Sequence, residues 1–533
     1  MQKQLDVLIV GAGPTGMTMA LELVAQGISF RIIDKASERS PFSRALVIHS
    51  RSFETFKRHK NIGVEELFDL GMTAPKANIF ISEKKIGDAD INDMRVPGTE
   101  FPFPRVVSQN ETERWLERAL AKHGVQIEKG VEVKHIAQDA DGVSVTVATS
   151  DGAEEEIRAK YIVGADGAHS AVRHAAKNIT FDGDAYPQAF ICADAYMETP
   201  LPTNEAYMCF GNGVLIVIPL KSGRVRLVVS RPGQDNEREL TLDDFEDAVR
   251  VFFPGGGSLH DPEWIARFHL HHRCASSYRD GRLFVAGDAA HIHSPAAGQG
   301  MNTGIQDAAN LGWKLAAVVR GEKPDSFLDS YNNERHPIGQ YLLASTDKAF
   351  TFVTWTNPIF VYLRSLFLPW IFPLVMRNKS RILNNAWFMS QLRIRYRKSD
   401  IVGTSPQFTG TVKGGDRLVD GKIKASEGER WLQDLLTPES YHLLLFSGLG
   451  QKEASEGDLD RARTLFLENT TSAAKASVIF SAGQKGQAGY IDLEDEIHKK
   501  LGFNDAGYVL VRPDGYIAHV GPLKTVEEAI KWM

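Results

Sequence analysis

The sequence predicts an α/β protein in several parts: a parallel-sheet unit interrupted by a β-rich insert, then a helical segment and a second α/β unit. An apolar run, Leu5 to Val10, leads through Gly11-Ala12-Gly13-Pro14-Thr15-Gly16 into a helical stretch, Met17 to Gln26, and a second strand, Ile28 to Ile33. Between residues 181 and 274, apolar and polar residues alternate, as in Val214 to Ile218 and Val225 to Val229. The α/β pattern then returns at Leu283-Phe284-Val285-Ala286. Beyond about Thr404 a fresh α/β pattern opens, with strands at His442 to Phe446 and Ala476 to Phe480.

The first strand is nearly all apolar, as expected of a parallel strand covered on both faces. Its helix closes at Gly27, and the second strand ends at Asp34. Val106-Val107 followed by Trp115, Leu116, Ala119 and Leu120 reads as a strand and an amphipathic helix stopped by Gly124. From Val125 to Val163 the period is two, with Asp141-Gly142 and Asp151-Gly152 as turns. This antiparallel excursion ends in Gly164-Ala165-Asp166-Gly167. A later helix, Met301 to Val319, sets Ile305, Ala308, Leu311 and Leu315 on one face. The expected division is residues 1–180 with 275–347 as one domain and 181–274 as its β-rich insert. A helical connection, 348–403, and a C-terminal domain, 404–533, complete it; 533 residues exceed one ordinary core.

A formal charge of -6 argues against a general nucleic-acid binder. Three cysteines without CxxC spacing exclude a disulfide scaffold and give no zinc signature. With no basic leader before the first strand, a cytoplasmic setting is expected. The segment 348–399 holds no Asp or Glu but carries Arg364, Arg377, Lys379, Arg381, Arg393, Arg395 and Arg397. Within it, Pro358 to Met376 is strongly apolar, yet Arg364, Pro369 and Pro373 argue against a spanning helix. A buried or substrate-covering helical pair is expected, with peripheral membrane contact through 358–398 as the alternative. His271, His272, His291 and His293 lack carboxylate-backed ligand spacing, so no metal is expected.

The chemistry starts at the first glycine motif. Gly11 permits a tight turn, Gly13 lets backbone approach a pyrophosphate, and Gly16 lets helix and strand pack closely. Pro14 and Thr15 open the helix, whose N-terminus presents N–H groups to the anion. Asp34, with Lys35 beside it, stands where a carboxylate can hold adenosine ribose hydroxyls. FAD and NAD are not separated by this motif. The second motif separates them. Gly287-Asp288 ends a buried strand, and Ser294-Pro295-Ala296-Ala297-Gly298-Gln299-Gly300-Met301-Asn302 is a Gly-rich turn opening a long helix. Asp288 can bind a ribityl chain, which NAD lacks. The helix start after Gly298 can direct N–H groups at a flavin C2 carbonyl and stabilise the charge of reduced flavin. The unit is thus expected to be an FAD-binding, Rossmann-like domain of the glutathione-reductase type.

In that order, GAGPTG, GADGAHSAVR and GDAAHIHSPAAGQGMNTGIQDAANLGWKLA resemble the class A flavoprotein monooxygenases of the p-hydroxybenzoate hydroxylase fold, over about the first 340 residues. The resemblance implies that Asp166-Gly167 serves both FAD and NAD(P)H, that Arg44 lies near the flavin and the nicotinamide, and that Gln109 lies on the FAD side. It makes Arg44 and Pro295 the flavin-environment residues with a catalytic part, and adds Gly300, Met301 and Asn302 to the cofactor contacts. Ala297 stands where relatives usually have a second glycine. Leu392 to Tyr396 and Gly415 to Asp420, ahead of an α/β domain, resemble members with a C-terminal thioredoxin-like domain. No cysteine lies beyond Cys274, so that domain cannot exchange dithiols.

The implied reaction is hydroxylation of a small phenolic or polyketide-like aromatic by O2 through a flavin C4a-hydroperoxide, with NADPH or NADH as reductant and the protein a monomer or homodimer. His49, Tyr207, Tyr278 and His271 are candidates for a base. Epoxidation or Baeyer–Villiger oxidation on the same fold, and a non-catalytic FAD-binding module, are the alternatives. No W-x-W pair, the halogenase signature, occurs among the eight tryptophans.

Overall fold

The computed structural model describes residues 4–533 apart from 41, 42, 44, 74, 82–83, 231–237, 294–297, 355–356, 377, 451–452, 471–473 and 485–488. Arg44 and Pro295 lie outside the described residues, as does Ala297.

The first sheet has a parallel centre. Leu283–Val285, Glu154–Gly164, Leu5–Val10, Phe30–Asp34 and Glu128–Lys129 follow one another across it. Leu5–Val10 is central, and Val7, Leu8 and Ile9 are fully buried, as its unbroken apolar run requires. The antiparallel excursion, Val131–Gln138 and Val143–Thr149, attaches to Glu154–Gly164. Two helices pack together on this sheet: Pro14–Ala25 and Gln299–Val319. The latter is buried along almost its whole length, so Asp307, Asn310 and Lys314 lie within the protein.

The second sheet is larger than the segment 181–274. Phe181–Glu198, Ala206–Gly211, Gly213–Pro219, Val225–Ser230 and Ser258–Ala275 form most of it. At one edge Ala77–Ile81 pairs parallel with Ala206–Gly211, and Lys84–Ala89 pairs with Ala77–Ile81. At the other edge His291–Ile292 pairs with Arg273 and Cys274. A helix, Asp243–Phe252, covers one face through Phe245, Val249 and Phe252, which meet Ile191, Leu215 and Val229. Side chains alternate across a strand, so Phe190 and Val228 face the opposite way, with Phe268.

The third sheet, within residues 403–522, centres on His442–Phe446, parallel to Lys475–Phe480 and antiparallel to Gly507–Val511. Glu456–Glu468 crosses between the parallel pair, as a parallel connection demands.

The acid-free segment forms two helices, Pro358–Met376 and Lys379–Met389. The expected buried pair is correct for one face only. Leu368 and Phe372 pack on Ile79, Ile81 and Ile86, whereas Tyr362, Trp370 and Leu374 are exposed. The apolar pattern runs round the whole of Pro358–Met376, and one sheet edge covers only half of it.

Candidate cofactor and active site

Gly11 follows the first strand at φ +101°, and a Cβ there would stand 2.3 Å from the Ala165 carbonyl oxygen. Glycine alone meets both conditions. At Gly13 a Cβ would meet nothing within 4 Å. The helix that begins at Pro14 has no side-chain cap, and its first N–H groups have no intrahelical partner. Open space beside an uncapped helix start fits an anionic pyrophosphate. The Asp34 carboxylate accepts from the N–H groups of Ala12 (2.7 Å) and Ala36 (2.8 Å), which fix it beside the turn. Lys35 is exposed next to it.

Gln109 begins the helix Gln109–Lys122 and ties down the backbone next to Arg44. Its N–H donates to the Ala45 carbonyl (2.9 Å), and its Oε1 accepts from the Ala45 N–H (3.2 Å). Its Nε2 donates to Glu113 (2.8 Å), a buried acid that sequence reasoning did not single out. Burial raises the Glu113 carboxyl above its ordinary range against the pull of Gln109 and Arg39, with the Asp34 charge adding to the rise.

Asp166 turns inward. Its Oδ2 accepts from the N–H groups of Ala171 (2.7 Å) and Val172 (3.4 Å), holding the start of the short helix Ala171–Ala175. Burial raises its carboxyl against the pull of Ser170 and those backbone donors. Gly167, by contrast, borders open space. Arg173, a residue of the same motif not assigned a role from sequence, donates to the Ala289 carbonyl (2.8 Å) and the Ala168 carbonyl (2.8 Å). It thereby joins this turn to the Asp288 turn.

Asp288 is exposed between buried Gly287 and Ala289. Gly298 precedes the long helix in the left-handed region, at φ +62°, and that helix start is again uncapped. Gly300 and Met301 are half-buried in its first turn. Asn302 is fully buried, and its side chain is a strut. Its Nδ2 donates to the carbonyls of Val47 (2.8 Å) and Gly298 (2.8 Å), while its Oδ1 accepts from the His49 N–H (2.9 Å) and Ser52 Oγ (2.7 Å).

Thr15 brings the two motifs together. A Cβ on Gly304 would stand 2.2 Å from Thr15 Oγ1, and one on Gly287 would stand 2.5 Å from it. The first cradle and the Asp288 turn are thus in van der Waals contact, although about 270 residues separate them. Gly304→Ala is expected to wedge the helices apart, costing about 1–3 kcal/mol and lowering FAD affinity by at least about tenfold. Thr15→Ala in the same chain should recover part of that loss. A flavin titration of the single and double variants measures both, and equal affinity in Gly304→Ala and wild type would refute the contact.

Asp307 holds the second motif from behind. Its Oδ2 accepts from the Gly287 N–H (3.0 Å) and meets His291 Nε2 (2.8 Å), while Arg335 Nε donates to Oδ1 (2.7 Å). The one sequence signal for Asp307 is a charge beside Ile305 and Ala308 on a buried helix. Of the candidate bases, Tyr207 and Tyr278 are core residues. Tyr207 donates to the Pro202 carbonyl (2.9 Å), and burial lifts its hydroxyl to about 12. Burial also lifts the Tyr278 hydroxyl well above its ordinary value. His271 lies on the long strand Ser258–Ala275. His49 alone of the four is beside the second helix start, its Nε2 3.9 Å from where a Gly298 Cβ would be.

Two uncapped helix starts joined through Thr15, the Asp34 and Asp288 carboxylates, and open space at Gly13 and Gly167 are a set that fits FAD. The sequence profile of the FAD binding domain family matches residues 4–346. The 6-methylpretetramide 4-monooxygenase of Streptomyces rimosus is 34% identical over 526 residues, covering 97% of this chain and 90% of that protein. An anhydrotetracycline hydroxylase structure from Streptomyces rimosus superposes with a TM-score of 0.72 at 28% identity, over 98% of this chain and 96% of that one. The flavin-dependent monooxygenase PieE, solved with FAD and substrate, shares the fold at a TM-score of 0.81 and 20% identity, over 100% of this chain and 98% of that one. With the profile spanning well over half of its length, the chain belongs to the FAD binding domain family, among the class A flavoprotein monooxygenases.

Proposed function

We propose that the protein hydroxylates a phenolic, polyketide-like aromatic with O2, taking electrons from NADPH or NADH. The observation that carries this reading is the pairing of His291–Ile292, directly after the Asp288 turn, with Arg273 and Cys274 of the second sheet. The segment after the Asp288 turn is thus hydrogen-bonded to the sheet whose face opposite the Asp243–Phe252 helix carries Phe190, Val228 and Phe268. Buried Phe190 and half-buried Phe268 lie nearly parallel there, 5.9 Å between centroids, an aromatic lining of the kind a flat ring packs beside. The 6-methylpretetramide named for the Streptomyces rimosus relative, and the similarity to an aromatic hydroxylase from angucycline biosynthesis, support this substrate class.

Bound FAD supplies the redox and oxygen chemistry. The chain supplies Asp288 for the ribityl hydroxyls and the helix start at Gly298 for negative charge on the flavin. The apolar sheet face excludes water from the reacting ring. We assign to His49, beside the Gly298 helix start, the removal of the phenol proton. Asp166 serves by shaping the turn that presents Gly167, and a sequence with one GxGxxG fits a nicotinamide that binds transiently.

We read the C-terminal unit as thioredoxin-like. Its order from His442 to Pro522, strand, helix, strand, the short strand Tyr490–Asp492, helix and hairpin, supports that reading. Without cysteines it serves as a brace.

The test is a screen of phenols and polycyclic aromatic polyketides with FAD-loaded enzyme. NADPH and NADH loss and incorporation of labelled O2 would be followed together. Coupled incorporation of one oxygen atom is expected with at least one polycyclic phenol. Failure of both nicotinamides to reduce the flavin across the panel would end the hydroxylase reading.

A further inference from the structure

The helix Pro358–Met376 has an inner face already engaged. Leu368 and Phe372 pack on the sheet edge, and Arg364, the helix's one charge, turns inward to donate to the Gly211 carbonyl (2.7 Å). The outer face is apolar and open: Trp370 is 76% exposed, Ile359 and Tyr362 68%, and Leu374 65%. Leu366 and Phe367 are half exposed between them. A helix apolar on every side normally lies buried, and a contiguous exposed patch of this kind marks a contact surface.

We propose that this face docks on an anionic lipid bilayer. Charge selects that occupant. The segment 348–399 contains no acid. Exposed Arg381 and Arg393 follow the helix, and exposed Lys84 and Lys85 stand on the strand that it packs against. Asp88 on that strand is already held by Lys85 (2.9 Å) and Lys76 (3.3 Å). A two-fold contact with a second copy would set these basic flanks against each other, with no acid in the segment to pair them. Lipid phosphates supply the missing negative charge. Tyr362 and Trp370 are the side-chain types that settle at the headgroup level. Among the described residues no helix is long and apolar enough to cross a membrane, so this one lies in the interfacial plane.

Flotation of the full-length, FAD-loaded protein with phosphatidylcholine vesicles, with and without phosphatidylglycerol, tests this. At low salt the protein should float with the anionic vesicles only, with a blue shift in tryptophan emission, and high salt should weaken both. The double variant Leu366→Ser, Trp370→Ser should lower partitioning on the order of a hundredfold while keeping its flavin, since both side chains are on the surface. A wild-type protein that stays soluble beside anionic vesicles overturns the proposal. So does equal binding to both vesicle types, or a dimer in light scattering that the double variant turns into monomer without any vesicle binding.

Discussion

Asp307→Ala is expected to strip the protein of FAD and lower its apparent Tm by on the order of 10 °C. Asp307 is fully buried and makes three contacts that no other residue can replace: Arg335, His291 and the Gly287 N–H. Burial alone would disfavour its charge, but Arg335 and His291 outweigh that and hold the carboxyl down to about 2. Truncation leaves the Arg335 guanidinium buried without its counter-ion, a cost of about 3–5 kcal/mol. It also frees the Gly287 turn, and with it the aim of Asp288. Arg335 keeps its bonds to Tyr396 Oη (3.0 Å) and the Thr303 carbonyl (3.1 Å), so the helices hold and the turn suffers most.

Linkage gives the same residue a pH signature. A carboxyl depressed in the folded state stabilises fully above its unfolded pKa, about 3.9, and loses that contribution as pH falls toward about 2. The fall in Tm between those values should be steep in wild type and shallower in Asp307→Ala. Visible flavin absorbance after gel filtration, with thermal melts across that range, measures both effects. Stoichiometric FAD in the variant at neutral pH would show that Asp307 does not position the turn.

The parts of this site that were legible in the sequence are those written in local chemistry. GAGPTG announces a strand, a turn and a helix within six residues, because each glycine answers a steric demand made by its own neighbours or by the next strand. The Gly298 turn is of the same kind. Asn302 and Asp166 show where this reasoning stops. Both sit in the right motif, yet their side chains brace the protein, Asn302 across to Val47 and Asp166 onto its own helix. A sequence displays a polar side chain without its direction. Partnerships between distant buried charges leave still less trace. Glu22 meets Arg58 (3.0 Å) and His59 (3.0 Å), a match decided only when the helices pack. The edge hairpin Ala77–Ile81 and Lys84–Ala89 was likewise unread, since the strand that Ala77–Ile81 joins lies about 130 residues ahead.

Arg512→Ala should loosen the C-terminal unit from the flavin-binding unit while leaving much of the flavin in place. The turn after Gly507–Val511 plugs into the first unit. Arg512 donates to both oxygens of Glu334, at 2.6 and 2.9 Å, and also pairs with Asp514. Glu334 is shared further with Lys314 Nζ (2.8 Å), Asn310 Nδ2 (2.6 Å) and Ser399 Oγ (2.7 Å). Arg51 donates to the Asp514 carbonyl (2.7 Å), and Arg58 to that of Pro513. Every charge here is out of water, so removing one leaves the others miscounted. With Arg512 gone, the cation left on Glu334 among the described residues is the Lys314 ammonium, whose pKa burial has already lowered to about 8 against the pull of Glu334. The expected cost is again about 3–5 kcal/mol. Unlike that at Asp307, it falls on the contact between units, because Asp307 and the Gly287 turn keep all their partners. Limited proteolysis should release a C-terminal fragment from Arg512→Ala and not from wild type, with most of the flavin staying on the larger piece. Pairing Arg512→Met with Glu334→Leu removes both charges, and should recover stability lost by either change alone. If the single variant resists protease as well as wild type does, the network is not the brace, and the apolar surface around Trp313 and Tyr441 holds the two units together instead.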